Sequence, residues 1–465
     1  MTSRIPLDLL RELGRSEGGA EALGLLVDDQ RVRRLLALRA LLDAVDTART
    51  PTVPRSAAAR VAEHWGLLEA ADRAGRGTTR QVLYYPLLGP WVRRVLRGLA
   101  AAVPPPDLLP DLEHLGAVAA AAAARAGLPF TLRLRAANGA LALPTLGAHV
   151  LPGTDAGHRG PPPDVELTHR GGRLTLRPAA GPPAVLCRRP DGVWESPDPA
   201  WRPLRPLTGG PRPVLLDDLD PFRTADSGLE RHGLKSAEPL GTAERAGWQA
   251  AWAGAGPLLE RGGPTRALEA GILLDCIVPL APPPQAGPHA AGPAHCSGTR
   301  REAFGAVLSS APQTPAFLAA TLVHELQHAK LSALTELTPL HHDTGTTRHW
   351  APWRPDPRPF DGLLQGTYSH LALADYWQRF ALTAENALER HTAWAEHSRC
   401  REQVGAALPT LLGSRALTPA GRVLAGAMAD RLTRLRERPP PEGYLARASA
   451  YVETSRTMWR RQHAR

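Results

Sequence analysis

Apolar residues recur at helical spacing from about Pro6 to Leu99. Leu9, Leu10 and Leu13 predict a first helix, and Val32, Leu35, Leu36 and Leu42 predict the inward stripe of a second, interrupted by Arg39. A third pattern, over 82–99, is expected to break at Pro86 and at Gly89-Pro90, where a backbone donor is missing or the chain is least constrained. The run Pro104-Pro105-Pro106 ends this set. The Ala-rich segment 107–126 predicts a further helix, stopped by Gly127, a residue suited to the left-handed conformation that closes helices.

The pattern then shifts to a two-residue period. Phe130-Thr131-Leu132-Arg133-Leu134 and Val165-Glu166-Leu167-Thr168 alternate as strands do, and the latter is expected to pair with Leu174-Thr175-Leu176 through a turn at Gly171-Gly172. Short strands and Pro/Gly-rich loops are expected over 129–220. A helix over 242–259 carries Trp248 and Trp252, read as core. Residues 271–280 read as a buried strand, 281–293 as a loop, 304–308 as a second strand and 309–313 as a turn. Three helical patterns follow, separated by the Pro-rich segment 351–359 and by Pro439-Pro440-Pro441. The expected fold is α+β and mainly helical: a helical N-terminal region (1–128), a strand- and loop-rich middle (129–240) and a metal-binding catalytic region (241–465). In the last, a zincin-like helix pair should lie beside a few strands.

Composition removes several function classes. The chain of 465 residues has 47 Pro, 43 Gly and a formal charge of +10, but its Arg residues are scattered and no nucleic-acid module signature occurs, so a solvated basic surface is expected. Cys187, Cys276, Cys296 and Cys400 stand far apart, which excludes a zinc ribbon and gives no disulfide framework. No apolar run reaches the roughly eighteen residues a membrane helix needs, and the first residues lack the apolar core of a signal peptide. The expectation is a soluble, reduced, cytoplasmic protein with neither membrane nor nucleic acid as partner.

The chemistry concentrates in His324-Glu325-Leu326-Gln327-His328. Two His residues four apart on a helix project from one face and reach a single ion, and the adjoining Glu325 turns toward a ligand or water on that ion. Thr314 stands where an N-cap belongs, Pro315 at the first helical position, and Leu318, Leu322 and Leu326 form an apolar stripe. The extended form with a third His in the same helix is absent, because Leu331 and Leu334 occupy its Gly and His positions. His370, in the helical pattern 362–380, is the first choice for third ligand, with Glu385 and Glu389 behind it. His341, His342 and His349 fall in an expected loop. Residues 350–359 hold Trp350, Trp353, Arg354, Asp356 and Arg358 between four prolines. There an Arg either binds a carboxylate ligand or forms a clip with Asp356.

Four stretches together resemble a known family: Ala303-Phe304-Gly305-Ala306-Val307; Leu322 to Lys330 around the motif; Pro352-Trp353-Arg354-Pro355-Asp356-Pro357-Arg358-Pro359; and Gly362-Leu363-Leu364-Gln365-Gly366-Thr367-Tyr368-Ser369-His370. They are similar to the actinobacterial HEXXH motif domain family, whose members stand alone or are fused to radical SAM maturases of FxSxx-type peptide systems. The likeness is most specific over about 300–380 and extends weakly to Tyr85-Pro86-Leu87-Leu88-Gly89-Pro90-Trp91.

The resemblance implies work on a ribosomally made precursor peptide, with a radical SAM maturase as a further partner. It implies Fe(II)- and 2-oxoglutarate-dependent β-hydroxylation, with His324, His328 and His370 as metal ligands and Arg354 or Arg358 holding the distal carboxylate of the cosubstrate. Glu325 then orients a ligand or handles protons. The alternatives are a zinc peptidase with Glu325 as general base, and a non-catalytic peptide-binding partner of the maturase. Three His ligands depart from the usual iron set of two His and one carboxylate, which keeps Glu385 and Glu389 open.

Overall fold

The structure is a computed structural model that describes residues 5–47, 52–137, 139–151, 163–225, 235, 239–283 and 295–463. Six helices come first: α1 (Leu7–Gly14), α2 (Ala20–Thr47), α3 (Arg55–Ala74), α4 (Arg76–Leu83), α5 (Leu88–Ala100) and α6 (Leu108–Arg125). The inward face of α2 differs from the expected stripe. Leu23, Leu26, Gln30, Arg34, Leu38, Leu41 and Val45 point in, while Val32 and Leu36 are 54% and 62% exposed. The apolar count misled because Gln30 and Arg34 belong to the buried face and find distant partners, Glu336 Oε2 (2.8 Å) and the Phe304 carbonyl (3.0 Å). Pro86 falls between α4 and α5 as expected, but Gly89-Pro90 does not break the chain. Both lie in the first turn of α5, where a missing N–H costs nothing. Gly127 closes α6 at φ +73°.

Ten short strands follow: β1 (Phe130–Arg135), β2 (Ala140–Leu143), β3 (Gly147–Val150), β4 (Asp164–Arg170), β5 (Arg173–Pro178), β6 (Ala184–Arg188), β7 (Trp194–Glu195), β8 (Trp201–Pro203), β9 (Pro206–Leu207) and β10 (Val214–Leu216). The β4–β5 hairpin turns on Gly171 and Gly172, both at positive φ, with Arg170 facing Arg173. One antiparallel sheet runs β1-β4-β5-β6-β7 and another β2-β3-β8.

The C-terminal half begins with α7 (Thr242–Arg261), α8 (Pro264–Leu273) and β11 (Cys276–Leu280). Residues 271–273 thus finish a helix instead of opening a strand. Next come β12 (Ser297–Gly298), β13 (Ala306–Ser310) and the motif helix α9 (Pro315–Leu337). Ser309 and Ser310, expected in a turn, pair in register with Pro279 and Leu280 and lengthen the strand. Most of the expected 281–293 loop lies outside the described residues. The hairpin β14 (His349–Ala351) and β15 (Arg354–Arg358) replaces the expected Pro-rich loop, followed by α10 (Phe360–Thr383), α11 (Ala387–Leu412), α12 (Pro419–Arg436) and α13 (Glu442–His463). Five helices from α9 onward stand where three patterns were expected, because Asn386 and Thr418 cap two starts inside continuous apolar periodicity.

The fold is α+β and mainly helical, with thirteen helices among the described residues. Its cores divide differently from the three regions expected. Helices α3–α6 share one core with β1–β8, while α1 and the start of α2 join the core of α7–α12. The sheet β12-β13-β11-β10-β9 is the wall between them. Ile277 and Val307 face one core, and Cys276, Val278, Ala306 and Leu308 face the other, so β11 and the first three residues of β13 are apolar on both faces. No described helix is long and apolar enough to cross a membrane.

A buried acid pair sits at the end of β10. Asp217 accepts from Tyr85 Oη and from the N–H groups of Leu219 and Asp220 (both 2.9 Å), whereas the Asp220 carboxyl accepts from Phe222 N (2.7 Å). The richer donor set leaves the negative charge on Asp217. Burial, and then the Asp217 charge, push the Asp220 carboxyl up to about 8. A raised folded value means the folded state holds a proton that the unfolded chain has released. The stabilisation is therefore full below about pH 4 and is lost as pH rises toward 8. Asp220→Asn, still able to accept from Phe222 N, is expected to match the wild type near pH 3.5 and to melt several degrees higher at pH 8 (~1 kcal/mol or more). Parallel melting curves at the two pH values check this; an equal loss at both would refute it.

Candidate metal site

Helix α9 starts where the sequence places it. The Thr314 side chain accepts from Phe317 N (3.1 Å), Pro315 is at N1, and Leu318, Leu322 and Leu326 are buried. Another face carries Gln327 and Lys330 into a buried ionic network, which leaves His324 and His328 on the face toward α10. The two helices run antiparallel: His324 neighbours His370, while His328 and Ser332 both bond Gln365.

The imidazoles converge, with Nε2 of His324 and Nε2 of His328 3.1 Å apart. His328 Nδ1–H donates to Gln365 Oε1 (3.1 Å), which leaves its Nε2 as a lone pair. His370 behaves alike: its Nδ1–H donates to the Gly366 carbonyl (2.8 Å), freeing Nε2. Burial pushes the His370 imidazole down to about 3, with Arg399 adding to the effect. Burial first, then the neighbouring His328 and His370 rings and the Arg399 cation, hold His324 well below the ordinary histidine value. At neutral pH His324 and His370 are thus uncharged nitrogen donors.

Glu325 is buried, and its Oε1 accepts from Ser297 Oγ (2.7 Å) on the edge strand β12 and lies 4.0 Å from His324 Nε2. Burial raises its proton affinity, partly offset by His328 and by the Ser297 bond. A carboxyl tuned upward next to a metal ligand suits proton transfer.

His370 is buried, 5.5 Å from His324 ring to ring, and stacks on Trp353 at 4.6 Å and 22°. Trp353 also lies directly over Gly366, where an added Cβ would overlap its indole. Gly366→Ala is expected to push Trp353 off His370 and to cost about 1–3 kcal/mol as an overpacked site. Loss of near-ultraviolet tryptophan dichroism with a lowered urea midpoint would report it; an unchanged spectrum would refute it.

The other sequence candidates fall elsewhere. Arg354 Nε and Arg358 Nη1 both clip Asp356, at 2.8 and 3.3 Å, on the strand β15, so the clip is the arrangement found, with one N–H of each Arg engaged in it. Glu385 and Glu389 lie past the end of α10, about 20 Å along the helix from His370, and Glu389 pairs with Arg261 (3.4 Å). His341 meets Asp361 (3.5 Å), His349 packs on Phe360, and His342 is exposed.

Four residues of the site escaped the sequence reading. Gln365 sits in a quoted family stretch but has no chemistry of its own, and Ser297 follows a loop with no motif. Asp361 is a carboxylate whose charge interacts with His328. Arg399, on α11, is held by Glu396 and by Gln403 Oε1 (3.3 Å), and its charge is felt at both His324 and His370.

The His pair fits a metal. Two imidazole nitrogens about 2.0–2.1 Å from one ion are roughly 2.9–3.4 Å apart for ligand angles of about 90–109°, and the pair is separated by 3.1 Å. Among the described residues no group of three or more His, Cys, Asp or Glu side chains is gathered closely enough to hold a metal, so the pair stands as two ligands with His370 one ring away. In comparisons with known proteins, no family model matches the chain and no curated protein matches it.

Proposed function

We propose that the chain is a metal-dependent enzyme that modifies a ribosomally made precursor peptide in the cytoplasm, by Fe(II)- and 2-oxoglutarate-dependent β-hydroxylation of one of its residues. The observation that carries the metal reading is the 3.1 Å approach of two Nε2 atoms, with His328 fixed in the metal-binding tautomer by Gln365. The hydroxylase chemistry itself is implied by the family resemblance, with a radical SAM maturase as partner. His324 and His328 hold the ion and His370 is the third nitrogen donor beside them. Iron bound with 2-oxoglutarate would supply the oxidation, one oxygen atom of O₂ entering a C–H bond and the other the succinate left when the cosubstrate loses carbon dioxide. Gln365 orients His328, Ser297 orients Glu325, and Glu325 holds or moves a proton next to His324.

A second reading is a zinc peptidase in which Glu325 takes a proton from water. It is favoured by the burial of Glu325 beside His324 and its raised proton affinity. Protein purified without oxygen, assayed for metal and incubated with precursor peptide, iron, ascorbate and 2-oxoglutarate, separates the readings. A gain of about sixteen mass units supports the hydroxylase and two fragments the peptidase. A peptide that is bound but unchanged overturns both and leaves a binding partner.

A further inference from the structure

Strands β1 and β2 leave one turn as partners and then part. Ala137 and Ala140 exchange both main-chain hydrogen bonds, at 3.0 and 3.1 Å. Continued as a hairpin, the next residues to exchange a pair of bonds would be Arg135 and Ala142. They do not pair: β1 goes on with β4 and β2 with β3, and each is the end strand of its own sheet. The phase of the two ladders sets where these main chains point. Ala136 N bonds the Pro163 carbonyl (3.0 Å), so Arg135 turns its N–H and C=O away from β4. Leu151 N bonds the Gly139 carbonyl (2.8 Å), so Ala142 turns its own away from β3. Among the described residues neither outward edge has a partner strand.

A cleft of about 610 Å³ lies beside these edges, and both Arg135 and Ala142 line it. Part of its wall is the segment 219–225, which Arg300 fixes by donating to the carbonyls of Phe222, Arg223 and Ala225 at 3.2, 3.2 and 2.8 Å. From α6 comes His114, whose ring packs edge-on against Trp91 and Phe222 and forms no hydrogen bond among the described residues. Four Arg and three acidic side chains line the cleft, one positive charge in excess. Glu113 is shared between Arg60 (2.8 Å) and Arg135 (3.6 Å).

We propose that this cleft binds an extended segment of the precursor peptide, which pairs by its main chain with the outward edges of β1 at Arg135 and β2 at Ala142. The inference rests on the reading above that the substrate is a peptide. Two unpaired strand edges beside one cavity offer main-chain donors and acceptors to a missing strand, and strand addition is how such edges take peptides. The lining sets the preference beyond that. His114 can exchange a hydrogen bond with a polar side chain, and the excess positive charge favours an acidic one. The cleft belongs to the core of α3–α6, across the β12-β13-β11-β10-β9 wall from the core under the motif helix. It therefore holds a different stretch of the peptide from the one presented to the metal pair.

The test is fluorescence anisotropy of the labelled precursor peptide encoded beside this gene, titrated with full-length wild type, Ala142→Pro, Ala142→Gly and His324→Ala. Proline at this edge position removes the outward N–H and no bond of the β2–β3 ladder, whereas glycine keeps that N–H. Ala142→Pro is expected to bind about 5- to 10-fold more weakly at a nearly unchanged melting temperature. Ala142→Gly and His324→Ala should stay within about twofold of wild type. Amide hydrogen exchange reads the contact directly: the peptide should slow exchange over β1 and β2 of the wild type, whether or not the proline variant folds. Equal affinities in wild type and a folded Ala142→Pro, or unslowed exchange in both strands, overturn the proposal. Affinity lost in His324→Ala and kept in Ala142→Pro puts the whole peptide at the metal pair, which removes the cleft and leaves the metal reading standing. A wild type that binds no peptide overturns the peptide reading and the cleft's role with it.

Discussion

His324→Ala is expected to strip the protein of its metal while leaving it folded. The substitution puts the best helix former into the middle of α9, so the helix itself has no reason to fail. What is lost is one of two Nε2 donors 3.1 Å apart. Altering groups that merely orient a metal ligand costs about 10–100-fold in affinity, and deleting the ligand should cost more than about 100-fold. Metal per chain after dialysis against a weak chelator, together with far-ultraviolet dichroism, checks this. Retention of stoichiometric metal would remove the site from His324. Glu325→Gln supplies the contrast, since it keeps the shape and the Ser297 contact and touches no metal-binding nitrogen. It should keep the metal in both readings. As a peptidase the variant should lose cleavage by at least about 100-fold, because the buried carboxyl beside His324 can no longer take or give a proton. As a hydroxylase it should remain active at a reduced rate.

The motif was legible because its information is local. Thr314, Pro315, the Leu stripe and two His residues four apart specify a capped helix with one chemical face, and the structure has that helix. His370 was reachable for the same reason, as the polar residue on the next periodic segment, and it lies beside His324. The Gly171-Gly172 hairpin and the stop at Gly127 were likewise local matters of positive φ. What escaped depends on contacts between distant segments. Gln30 and Arg34 on α2 are buried because Glu336 and the Phe304 carbonyl come to meet them, and no periodicity records that. Ser297 reaches Glu325 only because β12 pairs at the sheet edge above α9. The Arg399 charge acts on His370 from α11, and nothing distinguishes this residue in sequence from the protein's other Arg residues. The Pro-rich segment 351–359 misled in the opposite sense: its prolines suit an edge hairpin as well as a loop, and Asp356 pairs with both Arg side chains there.

The second large effect concerns what holds α9 and α10 together away from the His residues. Glu269 on α8 accepts from Arg266 (3.0 Å), from Lys330 (2.5 Å) and from Gln327 Nε2 (3.0 Å), and is 1% exposed. Arg266 continues to Asp375 on α10 (3.1 Å), which Arg379 and Arg431 also meet. One short helix thus ties the motif helix to its partner through buried charges. Glu269→Ala leaves Arg266 and Lys330 buried with too little opposite charge, and is expected to cost about 3–5 kcal/mol, read as a lower urea midpoint at unchanged slope. The pH sign follows from the same contacts. Burial alone would raise the Glu269 carboxyl, but Lys330 and Arg266 outweigh it and hold the carboxyl below its ordinary value. The stabilisation is then present above about pH 4.5 and is lost as pH falls through the lower folded value, so the gap between variant and wild type should close in acid. A gap unchanged at pH 3 would show that the loss is one of packing rather than charge. Replacing Arg266, Glu269 and Lys330 together by apolar residues of similar size is expected to recover much of the stability. Such a variant would still leave Gln327 Nε2 without Glu269, Asp375 with only Arg379 and Arg431, and the α9–α10 spacing without its strut. If it is stable but binds metal about tenfold or more weakly, the network's role is to place His324 and His328 against His370. If metal affinity returns with stability, the network serves the fold alone.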